Sequence, residues 1–170
     1  MIGIPIGLVS ASAAEWWIHK HILHGQGKKR KSFWSFHWYE HHSASLKNDM
    51  FDPDYRRFPL GRHAQGKEIL GLCALAVPVA ALMPVAPFLS ATWLYCGANY
   101  YRVHRKAHLD PEWAKKHLPW HYDHHMGPDQ DANWGVTRPL WDKVMGTRKP
   151  YLGTPDEERD RRAREARKAG

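Results

Sequence analysis

Apolar residues concentrate in two stretches of the chain, at about residues 1–18 and 69–101, and polar residues fill most of the rest. The N-terminal stretch is about as long as the shortest helix that crosses the ~30 Å hydrocarbon core of a bilayer. A cleaved secretory signal is the competing interpretation, but no Lys or Arg precedes the apolar residues, as such a signal requires. We therefore predict that this stretch is retained as a membrane helix.

The second stretch carries no charged residue, and three prolines interrupt it. A proline inside a helix removes a backbone hydrogen bond and clashes with the preceding turn, which disfavours one straight helix. We predict two antiparallel helices that turn near residues 83–88, the first beginning at about His63 and the second continuing to about His108. Lys and Arg flank both ends of this hairpin, which favours the cytoplasm for that side. A buried hairpin in a soluble helical protein is the alternative, although little else in the chain is apolar enough to cover it.

The remaining segments predict further helix and an ordered loop. Residues 113–125 have a helical pattern, and residues 127–153, which are rich in Gly, Pro, Asp and Asn, predict the loop. The charged tail over residues 154–170 opens with Thr and Glu in capping-box spacing, which predicts a solvated helix, with a role at a membrane surface as the alternative. The pattern therefore predicts an all-α, integral membrane domain over residues 1–153, followed by the tail.

Composition excludes several classes of protein. Two cysteines are too few for a disulfide-rich secreted module. The 25 Lys and Arg against 17 Asp and Glu give a net charge of +8, which by itself is compatible with nucleic-acid binding. The apolar hairpin argues against that class, and we expect no nucleic-acid partner. The abnormal feature is the number of histidines, which is 13.

All but one of the histidines fall in four short groups, each next to an apolar stretch. The groups are His19, His21 and His24; His37, His41 and His42; His104 and His108; and His117, His121, His124 and His125. Imidazolium ions this close together repel one another unless they lose their protons and bind something, and neutral imidazole is a common ligand of iron, zinc and copper. The groups therefore predict a polyhistidine metal site.

Helical geometry predicts which imidazoles share a face. Residues three or four apart lie on one face of an α-helix. This spacing occurs in His37 and His41, in His104 and His108, and in His121, His124 and His125. Adjacent histidines diverge by about 100°, so that each His-His pair, His41–His42 and His124–His125, can reach two different metals. His19 and His24 diverge by about 140°, so they flank a site from two sides unless a local distortion brings them together.

The type of metal is less constrained by the residues. The sequence has no HExxH helix, no nucleophile elbow and no cysteine pair with zinc-finger spacing. It also lacks the paired Glu-x-x-His motifs of carboxylate di-iron bundles. An imidazole-rich site for two metals suits iron chemistry with dioxygen, but zinc would occupy the same ligands.

The order and spacing of these histidine boxes resemble those of the fatty acid hydroxylase and sterol desaturase superfamily of membrane di-iron enzymes. The resemblance covers roughly residues 15–146. The boxes HKHILHG and HWYEHH, the latter followed by NDMF, look like those of beta-carotene hydroxylases. The box HRKAH, with three intervening residues, is similar to that of fatty acid 2-hydroxylases, and HYDHH with the later NWGVTRPLWDKVMGT is similar to the fatty acid and sterol branch.

The resemblance implies a ligand set, cofactors and a reaction. The ligands would be His19, His24, His37, His41, His42, His104, His108, His121, His124 and His125. The cofactors would be two iron ions, for which zinc can substitute, with dioxygen and an external electron donor. The reaction would be hydroxylation of a C–H bond in a fatty-acyl or sterol-like lipid, with carotenoid ring hydroxylation or lipid desaturation as the alternative. A non-catalytic membrane metal-binding protein is the alternative from another class.

Further residues beside the boxes are candidates for supporting roles. Glu15, Glu40 and Asp123 are carboxylates that could orient ring nitrogens, with plain solvent exposure as the alternative. His117 is a candidate for the same role, although an ordinary position on a helix face is the favoured interpretation.

The aromatic residues near the boxes have two interpretations. They wall an apolar substrate channel, or they anchor the protein at the headgroup level of the membrane. The candidates for the channel are Trp16, Trp38, Tyr100, Tyr101 and Trp134. The basic residues, including Lys28 to Lys31, predict a surface for an acidic ferredoxin or cytochrome reductant, although anionic lipid explains the same charges.

Overall fold

A computed structural model describes residues 1–169, with side chains through residue 167, and all regular structure in this part of the chain is helical. The α-helices are α1 (Gly3–Ile18), α2 (Ser43–Lys47), α3 (Ala64–Ala81), α4 (Pro87–Leu109), α5 (Pro111–His117), α6 (Pro119–Met126), α7 (Leu140–Val144) and α8 (Pro155–Ala169). Two π-helical segments, His19–His24 and His37–His42, and a 3₁₀ turn, Pro53–Arg56, complete the regular elements. The all-α prediction is confirmed for the described residues.

Helices α3 and α4 form the predicted hairpin. The Nδ1 atom of His63 caps α3 by accepting a hydrogen bond from the Gly66 N–H at 3.3 Å. Helix α4 begins at Pro87, whose missing N–H costs nothing at a first helical position. Helix α1 packs closely on α4, because a Cβ atom on Gly7 would lie only 2.8 Å from the side chain of Thr92.

The membrane prediction is supported by one helix of the described residues. Helix α3 is long and apolar enough to cross a membrane, judged by its length and composition. It exposes large apolar side chains such as Leu70 and Val77, and Tyr95 on α4 and Ile6 on α1 are exposed as well. The multi-pass arrangement and the cytoplasmic side of the histidine boxes stay predictions.

The helical segments beyond α4 form a cap with its own apolar core. Met50, Tyr122 and Met126 are buried there with residues of α4 and α5. The helix predicted over residues 113–125 is two helices, α5 and α6, because Pro119 forces Leu118 out of the α conformation, to φ −133°. The segment predicted as a loop over residues 127–153 also contains the short helix α7.

Candidate metal centre

Nine of the ten histidines implied as ligands lie in two adjacent groups within the described chain. The first histidine group is His19, His24, His37, His42 and His124, and the second histidine group is His41, His104, His108 and His125. Within each group the ligand nitrogens all lie within 4.8 Å of one another. The tenth, His121, lies beside the second group, with its Nε2 atom 3.1 Å from Nε2 of His108. All ten side chains are buried.

The two π-helical segments bring histidines five residues apart onto one face. The Gly25 N–H donates to the Lys20 carbonyl at 3.1 Å, the i→i+5 bond that defines this helix type. As a result, His19 and His24 belong to the same group, because this local distortion of the helix brings them together. The prediction that His37 and His41 share a face is wrong, because the wider turn pairs His37 with His42 instead.

Adjacent histidines divide between the two groups. The ring planes of His41 and His42 are 84° apart, and those of His124 and His125 are 85° apart. His42 and His124 therefore belong to the first histidine group, and His41 and His125 belong to the second. The expectation that His124 and His125 share a face with His121 is wrong for His124, which belongs to the first group.

Backbone carbonyl groups orient three of the rings. The Nδ1–H of His19 donates to the Trp134 carbonyl at 2.6 Å, and that of His124 donates to the Ala132 carbonyl at 2.6 Å. The Nδ1–H of His108 donates to the Met50 carbonyl at 2.8 Å. Because a carbonyl oxygen only accepts, the proton of each neutral ring is on Nδ1, and Nε2 carries a free lone pair.

Carboxylates orient three more rings. The Nδ1–H of His41 donates to Asp52 at 2.8 Å, and Nδ1–H of His104 donates to Glu68 at 2.5 Å. The Nδ1 atom of His24 lies 3.3 Å from Asp131. A carboxylate or carbonyl partner on the outer nitrogen is the usual arrangement for a metal-binding histidine, because it fixes the ring and raises the basicity of the inner nitrogen.

The inner nitrogens face one another in an arrangement that suits a cation between them. The Nε2 atoms of His104 and His108 lie 3.2 Å apart, although both rings already donate through Nδ1 to other partners. The same holds for His24 and His124, whose Nε2 atoms are also 3.2 Å apart. Two lone pairs at this distance repel each other unless a positive charge lies between them. The donor set therefore fits bound metal ions.

Burial favours the neutral form of several of these imidazoles, which is the form that binds metal. Burial first and the neighbouring histidines second hold the pKa values of His37, His42 and His125 well below the ordinary range. Burial also lowers the pKa of His124 to about 4. At neutral pH a metal ion therefore meets these four rings in the deprotonated form that it binds.

Sequence suggested three carboxylates as partners of the histidine rings, but each of them binds a different group. Glu15 accepts hydrogen bonds from the backbone N–H groups of Val136 and Thr137 at 2.7 and 2.8 Å. Glu40 forms a surface ion pair with Lys67 at 2.5 Å. The suggested orienting role is wrong for both, because His19 uses a carbonyl and His41 uses Asp52.

Asp123 and His117 also lie outside the histidine groups. Asp123 pairs with Arg148 at 2.6 Å and accepts from the Leu152 N–H at 2.7 Å, so it holds the chain after α7 and orients no ring. His117 is exposed and stacks on Trp113 with ring centroids 5.0 Å apart. This agrees with the favoured interpretation of His117 as an ordinary helix-face residue.

Sequence reasoning missed the carboxylates that do contact the rings. Asp52 is buried, and it lies 11 residues after His41, which is not the spacing of three or four residues that joins side chains on one helix face. Glu68 is the last charged residue before the second apolar stretch, and an acid at that position was a signal that could have been used. Asp142 was missed as well: it holds the loop that supplies carbonyl groups to His19 and His124, by accepting from the Trp134 and Gly135 N–H groups.

An apolar cavity of about 400 Å³ lies between α1, α3 and α4 and reaches both histidine groups. His37 of the first group and His41 of the second line its inner end. Small residues such as Gly97 and Ala76 line the part between the helices. Tyr100 and Tyr101, two of the predicted channel residues, also line it.

The three tryptophans predicted for the channel lie elsewhere. The indole N–H of Trp16 lies 3.2 Å from both Asp142 and Thr147. Trp38 stacks on the ring of His42 at 5.3 Å, and Trp134 packs edge-on against His24 at 4.7 Å. None of the three lines the cavity; Trp38 and Trp134 pack instead against rings of the first histidine group.

The family model described as fatty acid hydroxylase matches residues 4–147. No curated protein and no solved structure matches the chain. The matched segment contains every residue of both histidine groups.

Proposed function

This chain belongs to the fatty acid hydroxylase family, and from that premise we propose that it is a membrane di-iron hydroxylase acting on a C–H bond of a lipid. The observation that carries the proposal is the junction of the two histidine groups with the apolar cavity. His37 and His41, one from each group, line the inner end of that cavity. An apolar molecule that fills the cavity would thus present a carbon atom to both groups at once.

The ten buried histidines would hold two iron ions, one in each group. Bound iron would supply the redox reaction with dioxygen, which no protein side chain can perform. The outer contacts of the rings, from Asp52, Glu68 and three carbonyl groups, would keep the inner nitrogens in position during turnover. The apolar lining would exclude water and so prevent unproductive oxidation.

The lining of the cavity favours an apolar, extended substrate. Glycine and alanine at positions 71, 76, 97 and 98 leave space between the helices. A fatty-acyl or sterol-like lipid is the first proposal, and a carotenoid is the alternative. Hydroxylation or desaturation would depend on which C–H bond the cavity brings next to His37 and His41.

The reaction also requires a reductant. Insertion of one oxygen atom into a C–H bond, with the second leaving as water, consumes two electrons and two protons beyond dioxygen and substrate. We propose an acidic ferredoxin or cytochrome as the donor. Lys28 lies on the surface with its Nζ atom 4.5 Å from the Trp38 ring, and Trp38 in turn stacks on His42, so this face offers a short path to the first group.

The proposed location is a membrane, with the histidine groups on the cytoplasmic side. Arginines at positions 56, 57 and 62 precede α3, and those at 102 and 105 lie near the end of α4. Both ends of the hairpin are therefore basic, which is the distribution found on cytoplasmic faces.

The metal content of detergent-purified protein tests the proposal. Wild type should retain two irons per chain, and the double variant His124→Ala/His125→Ala, which removes one ligand from each group, should lose both. His117→Ala is the matched control, because this exposed histidine belongs to neither group. Iron-loaded wild type, given reductant and a panel of fatty-acyl, sterol and carotenoid lipids under labelled dioxygen, should incorporate label into one class.

Three results would contradict the proposal or part of it. Protein without stoichiometric metal would refute the metal centre. Stable metal without oxygen consumption would favour the non-catalytic metal-binding alternative. An unsaturated product without label would replace hydroxylation by desaturation.

A further inference from the structure

The C-terminal helix α8 reaches back to the segment that follows the second histidine box. Arg164 of α8 lies with its Nε atom 2.8 Å from a carboxylate oxygen of Asp49. The arginine side chain is 18% exposed and the aspartate side chain is 42% exposed, so the pair lies at the edge of the cap with its cationic end partly shielded from solvent. A second contact, from the Tyr151 hydroxyl to Asp160 at 3.1 Å, fastens α8 to the cap. Helix α8 lies outside the matched family segment, which ends at residue 147.

The segment held by Arg164 has an unusual backbone. Asp49 and Met50 have φ angles of +52° and +78°, in the left-handed region. Aspartate is tolerated there, but methionine rarely is. The Met50 N–H donates to the Ser45 carbonyl at 2.7 Å, and the Met50 side chain is fully buried. Such a conformation persists only when its surroundings hold it. We call residues 48–52 the 48–52 turn.

The 48–52 turn supplies the outer contacts of two histidines in the second group. The Met50 carbonyl accepts the Nδ1–H of His108 at 2.8 Å, which depends directly on the left-handed backbone. The Asp52 carboxylate accepts the Nδ1–H of His41 at 2.8 Å. The Asp52 N–H also donates to the His108 carbonyl at 3.1 Å. A shift of this turn would therefore rotate half of the second group and leave the first group in place.

We propose that Arg164 is a positioning residue for the second histidine group: its ion pair with Asp49 lets α8 clamp the 48–52 turn in the conformation that orients His41 and His108. This inference rests on the proposed function, because it assumes that the second group binds a metal ion. It assigns to the C-terminal helix a part in metal affinity, which its charged sequence alone would not indicate.

Two variants break the pair without disturbing the backbone. Arg164→Gln removes the cation, and Asp49→Asn removes the anion while keeping a residue type that tolerates a positive φ. Arg164→Lys is the conservative variant that should restore the pair. Arg162→Gln is the matched control, because Arg162 lies on the same helix and pairs with Glu158 of α8.

Anaerobic iron(II) loading, desalting and metal analysis would give the number of ions retained by each variant, and cobalt(II) titration followed by visible absorption would give the affinities. Wild type and Arg162→Gln should retain two ions. Arg164→Gln and Asp49→Asn should retain one ion. The affinity of the second histidine group for metal should fall roughly tenfold or more, as is typical when the outer contacts of metal ligands are lost. Arg164→Gln also loses the hydrogen bond between Arg164 and Tyr151, so the double variant should be no weaker than Arg164→Gln. Arg164→Lys should recover the second ion.

The outcomes separate this inference from the proposed function. Wild type that holds no metal would refute both. Wild type with two ions, together with Arg164→Gln or Asp49→Asn that also holds two at unchanged affinity, would refute the clamp alone. Equal metal loss in Arg162→Gln would also refute it, since the effect would then belong to α8 in general. If Arg164→Gln does not fold, Asp49→Asn decides the question by the same measurement.

Discussion

Asp142 offers the sharpest test of how the loop after α6 supports the metal centre. Its carboxylate is fully buried and accepts hydrogen bonds from the N–H groups of Trp134 and Gly135 at 2.8 and 2.7 Å. It also accepts from the Thr147 hydroxyl at 2.7 Å and from the Trp16 indole at 3.2 Å. Asp142→Ala would leave these donors inside the protein without an acceptor.

The size of the effect follows from the two backbone donors. A buried N–H group that loses its partner costs about 1–3 kcal/mol, so the pair should cost about 4 kcal/mol of unfolding free energy. In a chain of this size that loss lowers the unfolding temperature by roughly 10 °C. The loop also carries the carbonyl groups that orient His19 and His124, so the affinity of the first group for metal should fall by about 10- to 100-fold.

Thermal unfolding in detergent, followed by near-UV circular dichroism, and metal titration would measure both effects. Asp142→Asn keeps one carbonyl oxygen and should show an intermediate loss. Asp156→Ala is the matched control, because this aspartate is 60% exposed and its surface pair with Arg159 should contribute little to stability. If Asp142→Ala unfolds at the same temperature as Asp156→Ala and binds metal as wild type does, the reasoning is refuted.

Three further predictions concern ligand orientation, pH and the cavity. Glu68→Gln weakens the acceptor for His104 Nδ1–H and should lower metal affinity in the second group by about tenfold, measured by titration; unchanged affinity would contradict the orienting role. The His124 pKa is lowered from 6.5 to about 4, so the unfolded chain binds more protons in that window. On acidification from pH 7 to pH 4, metal-free protein should therefore lose about 3 kcal/mol of unfolding free energy through His124, and more through the other buried histidines with lowered pKa values, measured by denaturant unfolding with a chelator present. A pH-independent stability would argue against neutral buried ligands. Gly97→Leu meets no atom within 4 Å of its new Cβ and should block lipid turnover while metal content stays at the wild-type level; full activity would place the substrate elsewhere.

The sequence determined the helical class, the hairpin and the identity of the metal-binding candidates. Three prolines and an uncharged stretch sufficed for α3 and α4, because proline chemistry and solvation act locally along the chain. The crowding of histidines sufficed to predict a candidate metal centre, because neighbouring imidazoles become favourable when they are neutral and bind a metal ion.

The division of those histidines into two groups could be predicted only in part from the sequence. Divergence of the neighbours His41 and His42 follows from any helix, and the structure places them in different groups. The pairing of His37 with His42 depends on a π-helical turn, which sequence spacing permits but does not require. The α-helical period therefore gave a wrong partner for His37.

The tertiary structure alone decided which groups orient the rings and where the cavity lies. Glu15, Glu40 and Asp123 are neighbours of histidines in sequence, yet Asp52 and Glu68 make the contacts. A side chain on a helix extends toward a neighbouring element of the fold. The partner of its ring nitrogen therefore depends on how the two elements pack, which spacing along the chain does not show. The turn that orients His108 and the helix that holds it through Arg164 lie far apart in the chain, and they meet only because the cap folds around a shared apolar core.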